Sequence, residues 1–110
     1  MLYFLTMKPT KKTNTLLILA LIVGLAFHGS AIFFTLESTY DALIHLFFAD
    51  HYADSWFDPW EYRWYTGFTV QSYPPLVHQV IGILSYIGGL KFGMYTVALI
   101  AIVLFIIIVF

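Results

Sequence analysis

The chain has 110 residues, 61% of them hydrophobic and only 10% charged, with a mean hydropathy of +0.86 and a formal net charge of -1. Soluble domains carry about 25% charged residues, so this composition points to a membrane protein and away from an ordinary soluble domain. No basic patch suggests nucleic acid, and the lack of cysteine excludes a disulfide framework and thiolate chemistry.

Residues 1–14 hold a short apolar leader followed by Lys8, Lys11 and Lys12, read as a cytoplasmic N-terminus. Residues 15–36 follow as a first transmembrane helix, interrupted only by His28 and Ser30 and long enough to span. A cleaved secretory signal is the rival reading. Against it, the apolar run continues through Ile32, Phe33 and Phe34, past the small residues where cleavage would fall.

Residues 37–73 differ from everything around them. They contain all six acids (Glu37, Asp41, Asp50, Asp54, Asp58, Glu61), all three tryptophans (Trp56, Trp60, Trp64), and His45 and His51. A polar, aromatic insert between apolar spans is where chemistry or recognition would sit. From Glu37 to about Asp54 the pattern predicts an amphipathic helix lying along the membrane interface. On it Glu37, Asp41 and His45 share a face at i,i+4 spacing, while Ala42, Leu46, Ala49 and Ala53 form an apolar strip. Trp56 to Tyr73 has neither a helical nor an alternating period. Asp58-Pro59 and Thr66-Gly67 are turn signals, so the segment is expected to be an ordered loop at headgroup level.

Pro74-Pro75 opens a second predicted transmembrane helix over residues 74–90, since proline fits the first helical turn. Residues 91–93 are expected to be a cytoplasmic turn, and 94–110 a third transmembrane helix. Seventeen residues reach roughly 25 Å, short of the ~30 Å hydrocarbon core. That shortness suggests a truncated span, and with it the N-terminal portion of a longer protein whose remaining helices complete the packing. Lys8, Lys11, Lys12 and Lys91 place the N-terminus and the turn in the cytoplasm by the positive-inside rule, and residues 37–73 outside. The expected class is thus all-α: a multi-pass plasma-membrane protein with three transmembrane helices, and an interfacial helix and aromatic loop between the first and second.

Two constellations carry possible chemistry. Asp41 and His45, one helical turn apart, can ligate a divalent cation, or Asp41 can act as a base. With Glu37 the oxygen-rich set suits Mg²⁺ or Mn²⁺ better than zinc. The plain alternative is a solvated polar stripe. In the aromatic loop, Trp60 and Trp64, with Tyr73, form a candidate stacking surface for a sugar or isoprenoid chain, and Arg63 suits phosphate through its bidentate fork. Equally, the loop can be an interfacial belt in which Arg63 makes cation–π contacts or pairs with Glu61. Asp50, His51 and Asp54 read as a wetted helix face, and His28 and His78 as interhelical hydrogen-bonding groups.

The order of these features resembles the start of an integral-membrane glycosyltransferase of the GT-C class. One span is followed by Thr39-Tyr40-Asp41, a His45-Leu46-Phe47-Phe48-Ala49 helix, a Trp-rich segment (Trp60, Arg63-Trp64, Gly67), and Ser72-Tyr73-Pro74-Pro75-Leu76 opening the next. The chain is particularly similar to the membrane domains of 6-pyruvoyl-tetrahydropterin synthase-related proteins. The resemblance covers Thr15 to Gly89. It implies membrane lipid and a polyprenyl-phosphate-linked sugar donor as partners, transfer on the outer face, and a first-loop acid, here Asp41, as metal ligand or base. Members often pair that acid with another two residues away. Here those positions are Thr39 and Leu43, so Glu37 would have to substitute. A non-catalytic assembly or transport subunit, with the loop as an interfacial collar, is the alternative function.

Overall fold

A computed structural model describes residues 10–70 and 74–110. The chain is mostly helical. Helix α1 (Lys11–Thr35) begins four residues before the apolar run because Thr10 caps it, its hydroxyl accepting the Thr13 N–H at 3.2 Å. Lys11 and Lys12 therefore sit on the first helical turn. A π-helical turn, Leu25–Gly29, interrupts α1. A turn of 36–38 leads to Thr39, which caps helix α2 (Tyr40–Asp54). Two short antiparallel strands follow, β1 (Trp60–Glu61) and β2 (Phe68–Thr69), in register Trp60 with Thr69 and Glu61 with Phe68. Helix α3 (Pro75–Gly88) carries Pro75 in its first turn, and helix α4 (Leu90–Val109) completes the described chain.

Two of these helices, α1 and α4, are long and apolar enough to cross a membrane. At 1.5 Å per residue α1 measures ~37 Å and α4 ~30 Å, while the 14 residues of α3 give only ~21 Å. Of the three expected spans, the first and third thus coincide with helices long and apolar enough to cross, and the second with a shorter apolar helix. The shortness assigned to 94–110 also disappears, because α4 starts at Leu90: one residue, Gly89 at φ +87°, makes the turn from α3. Gly93, expected in a turn, lies inside α4. A methyl there would come 2.5 Å from the Ile81 carbonyl oxygen, so Gly93 is what lets α3 and α4 touch.

Helices α1 and α4 run antiparallel. Gly24 faces Ile106, Gly29 faces Leu99, and the Tyr95 hydroxyl donates to the Gly29 carbonyl at 3.1 Å. The Phe33 and Tyr95 rings meet edge to face, and Lys91 is ion-paired with Glu37. Rising numbers on one helix oppose falling numbers on the other, so the start of α4 lies beside the end of α1. This corrects the expectation that Lys91 stands across the membrane from Glu37. The two lie at the same end, and everything between them forms a cap there.

The cap is held by α2 on α3. The two run parallel with a constant offset: His45 meets His78, Ala49 and Ala53 meet Gly82, and the Tyr86 hydroxyl donates to the Ala53 carbonyl. Ala49 is fully buried, and a methyl on Gly82 would lie 3.0 Å from the Ala53 nitrogen, so small residues set the spacing. On another flank of α2, Phe48, Tyr52 and Val70 form the buried core, with Ile44, Phe47 and Phe68 packed around it.

Candidate functional site

The most concentrated polar structure is in the cap, around Glu61. This side chain is fully buried on β1, and a buried carboxylate must be paired to be tolerated. Arg63 provides the pairing. Its Nε donates to Oε1 at 2.9 Å, its Nη2 to Oε2 at 2.8 Å, and its backbone N–H to Oε1 at 2.7 Å. His51 Nδ1 lies 3.0 Å from Oε2, while His51 Nε2 lies 2.6 Å from the Asp58 carbonyl. Both ring nitrogens face oxygen acceptors, so the ring fills both bonds when both carry hydrogen. Arg63 Nη1 also pairs with Asp50 on α2. The hydrogen bonds from Arg63 hold Glu61 below the usual carboxylate range, against the opposing effect of burial, with His51 a smaller contributor. The same bond to Glu61 raises Arg63 further above its already high value.

This network uses residues that the sequence assigned elsewhere. Three of the five guanidinium N–H groups of Arg63 point at carboxylates, and its plane lies 4.8 Å from the Phe47 ring centroid. Pairing with Glu61 and a cation–π contact are what the geometry provides, in place of an open fork for phosphate. His51, read as wetted, is buried, and Asp50 is half-buried in its pair with Arg63. The signal available in sequence was the i,i+2 spacing of Glu61 and Arg63, which places both on one side of an extended strand.

The expected metal set is not assembled either. Glu37 precedes the Thr39 cap, so it lies outside α2, shares no helix face with Asp41, and binds Lys91. His45 Nδ1 is 2.8 Å from His78 Nε2, with the two rings stacked. No group of three or more metal-ligating side chains occurs among the described residues. Asp41 stands apart: exposed, in the first turn of α2, and without a hydrogen bond or ion pair to another side chain among the described residues.

Trp60 lies over Gly67, whose φ of +94° and missing side chain make room for the indole; a methyl there would sit 2.7 Å from the ring. Trp64 packs against Phe47 and Phe68 and stacks on Tyr65. Together with Tyr40, Leu43, Ile44, Phe47 and Arg63 it lines an open groove of about 340 Å³ on the outer side of α2. Tyr73 lies outside the described residues. Comparisons with protein-family models, curated proteins and solved structures found no match to the chain.

Proposed function

We propose that the chain forms part of an integral-membrane glycosyltransferase that crosses the plasma membrane with α1 and α4 and holds its cap outside. Lys11 and Lys12, on the end of α1 opposite the cap, support that orientation by the positive-inside rule. One observation carries the catalytic reading. Of the four acids from Glu37 to Asp54, Glu37 and Asp50 bind Lys91 and Arg63, whereas Asp41, close after the end of α1, and Asp54, at the far end of α2, are exposed and without an ion pair among the described residues.

In this reading Asp41 takes the proton of an acceptor hydroxyl as that oxygen bonds to the anomeric carbon. The carbon–oxygen bond to the lipid-linked phosphate breaks, and the phosphate leaves on its lipid. The groove from Tyr40 to Trp64 takes the apolar chain of the donor. Arg63 shapes that groove and does not clamp the phosphate. A Mg²⁺ or Mn²⁺ ion would need donors beyond Asp41 that Glu37 and His45 do not supply here. The resemblance in sequence from Thr39-Tyr40-Asp41 to Tyr73-Pro74-Pro75 also supports this reading.

The test compares Asp41→Asn with Asp54→Asn in membranes at matched expression, using a panel of radiolabelled polyprenyl-phosphate hexoses. Loss of a general base costs about 10²–10⁴-fold in rate, so Asp41→Asn should lose transfer while Asp54→Asn keeps it. Equal loss, or no loss in either, rejects the assignment. A second reading, a non-catalytic module with an interfacial collar, is favoured by the engagement of Arg63, Glu37 and His45 in internal contacts, and by the exposed rings of Phe57, Tyr62 and Tyr65. It expects no transfer by any variant.

A further inference from the structure

We propose that the meeting point of α1 and α4 binds one phospholipid whose headgroup is zwitterionic and bears a primary amine, of the phosphatidylethanolamine type, with its phosphate on Lys91 and its ammonium on Glu37. The site rests on α1 and α4 lying in lipid, and on nothing that Asp41 does.

The sequence places the two charges. Glu37 stands just past Thr35, where α1 ends, and Lys91 lies in the first turn of α4. Both are therefore where a long apolar helix gives way to polar chain, which in a membrane is the level of the headgroups. Each also reinforces the pole of its own helix. The first turn of α4 is a positive pole whose N–H groups no side chain caps, and the last turn of α1 is a negative one. Within its own helix, each charge thus stands at the unfavourable end.

Lys91 and Glu37 are ion-paired while 64% and 59% exposed, an arrangement that contributes little to stability. An ammonium has three donors and a carboxylate about four acceptor positions, so their mutual contact leaves both able to bind more. Among the described residues neither side chain has a further hydrogen bond or ion pair. A headgroup carrying both signs completes this set: phosphate against Lys91, ammonium against Glu37, each charge beside its opposite. An anionic phospholipid or a polyprenyl phosphate brings negative charge alone and meets Glu37. A choline headgroup has no N–H to give the carboxylate.

The hydrocarbon side fits the same ligand. Behind the ion pair is a pocket of about 410 Å³ lined by Phe33, Leu36, Phe92 and Tyr95, within the ~300–1,000 Å³ range of small-molecule sites. The Phe33 and Tyr95 rings meet edge to face, and the Tyr95 hydroxyl is already spent on the Gly29 carbonyl, so both offer ring surface. Phe33 and Phe92 are exposed, left uncovered by their own chain. An apolar floor under a rim of both signs suits glycerol and upper acyl chain below, and headgroup above.

The test is native mass spectrometry of the full chain in mild detergent. It is titrated with phosphatidylethanolamine, phosphatidylcholine and phosphatidylglycerol of identical acyl chains, and with a polyprenyl phosphate. The first phosphatidylethanolamine should bind about tenfold more tightly than the other three, the factor expected of one hydrogen bond between charged groups. Glu37→Gln should bring phosphatidylethanolamine down to phosphatidylcholine and leave phosphatidylcholine unchanged. Lys91→Gln should weaken both by a similar factor. Equal binding of the two by the wild type, or a ranking that survives Glu37→Gln, shows annular lipid only and overturns the site. Preference for phosphatidylglycerol or the polyprenyl phosphate shows a plain phosphate site and overturns it too. These failures leave the comparison of Asp41→Asn with Asp54→Asn untouched. A chain that stays dispersed without detergent or lipid, by contrast, rejects the membrane reading and the site together.

Discussion

The α1–α4 pair and the cap are built on opposite principles. Within the two long helices, only about 6% of the most apolar window is buried, and large side chains such as Phe27, Phe33, Phe105 and Ile108 face outward. Helices apolar all round need an apolar solvent, and these meet mainly through Gly24 and Gly29, where small residues let backbones approach. The cap does the reverse. It buries Glu61, His51 and His78 and satisfies them with specific partners. One region depends on its surroundings for stability, and the other carries its stability in a polar network that tolerates little change.

The sharpest way to test that contrast is to break the network. Glu61→Ala leaves Arg63 and His51 facing a void, and removing one partner of a buried ion pair costs about 3 kcal/mol. The cap should unfold at a markedly lower urea concentration. All three tryptophans lie in the cap, so their fluorescence follows it alone, while far-UV circular dichroism should show α1 and α4 intact. Loss of both signals together would mean that the two regions are one cooperative unit.

A smaller effect is expected where cap and span meet. Gly93→Ala drives a methyl to 2.5 Å from the Ile81 carbonyl, and overpacking of this kind costs about 1–3 kcal/mol. Gly89→Ala meets nothing within 4 Å, so only its φ of +87° resists, at about 1 kcal/mol. Equal destabilisation by both would show that α3 and α4 do not pack through Gly93.

Acid should separate the regions more gently. Glu61 is held below its ordinary value of 4.5, so the folded cap binds fewer protons than the unfolded chain. That stability is complete above about pH 4.5 and is lost as pH falls through the lower folded value. His78, also lowered, works in the same direction: its contribution is complete above about 6.5 and fades below. Tryptophan-monitored stability should therefore decline from about pH 6.5 downward and more steeply below 4.5, whereas α1 and α4 keep their helicity. A cap most stable in acid would contradict both assignments.

The smallest energetic change has the clearest geometric reading. Lys91 and Glu37 are both exposed, so Lys91→Ala should alter stability by no more than about 0.5 kcal/mol, and less in high salt. Yet cysteines at these two positions should be joined readily by a short bifunctional maleimide. Failure to cross-link, with differential labelling from opposite faces of the membrane, would end the capped-pair arrangement.

Much of the helical plan was legible because hydropathy and caps are local. The Pro74-Pro75 start marks a real boundary, whereas α1 starts four residues ahead of the apolar run and the turn expected at 91–93 falls on Gly89. What the sequence concealed is pairing. Glu37 fits the i,i+4 pattern with Asp41, but Thr39 starts α2 behind it, and nothing local announces Lys91 as its partner. His51 sits among acids that look solvated, and only the return of β1 buries it against Glu61. The packing of the short apolar helix was concealed for a related reason. A 14-residue apolar helix looks the same in sequence whether it meets lipid or, like α3, packs between two other helices of its own chain.

The adjacency of Glu37 and Lys91 means that the cap leaves and rejoins the helical pair at nearly one point. Such a segment is an insertion in the architectural sense: a short linker could replace it and still join α1 to α4. It also sets an order of events during biogenesis. The ribosome makes α1 before α4, so in a membrane the whole cap must be delivered to its side before α4 can return alongside α1. Until then α1 lacks the partner for Gly24 and Gly29 and must wait in the bilayer alone.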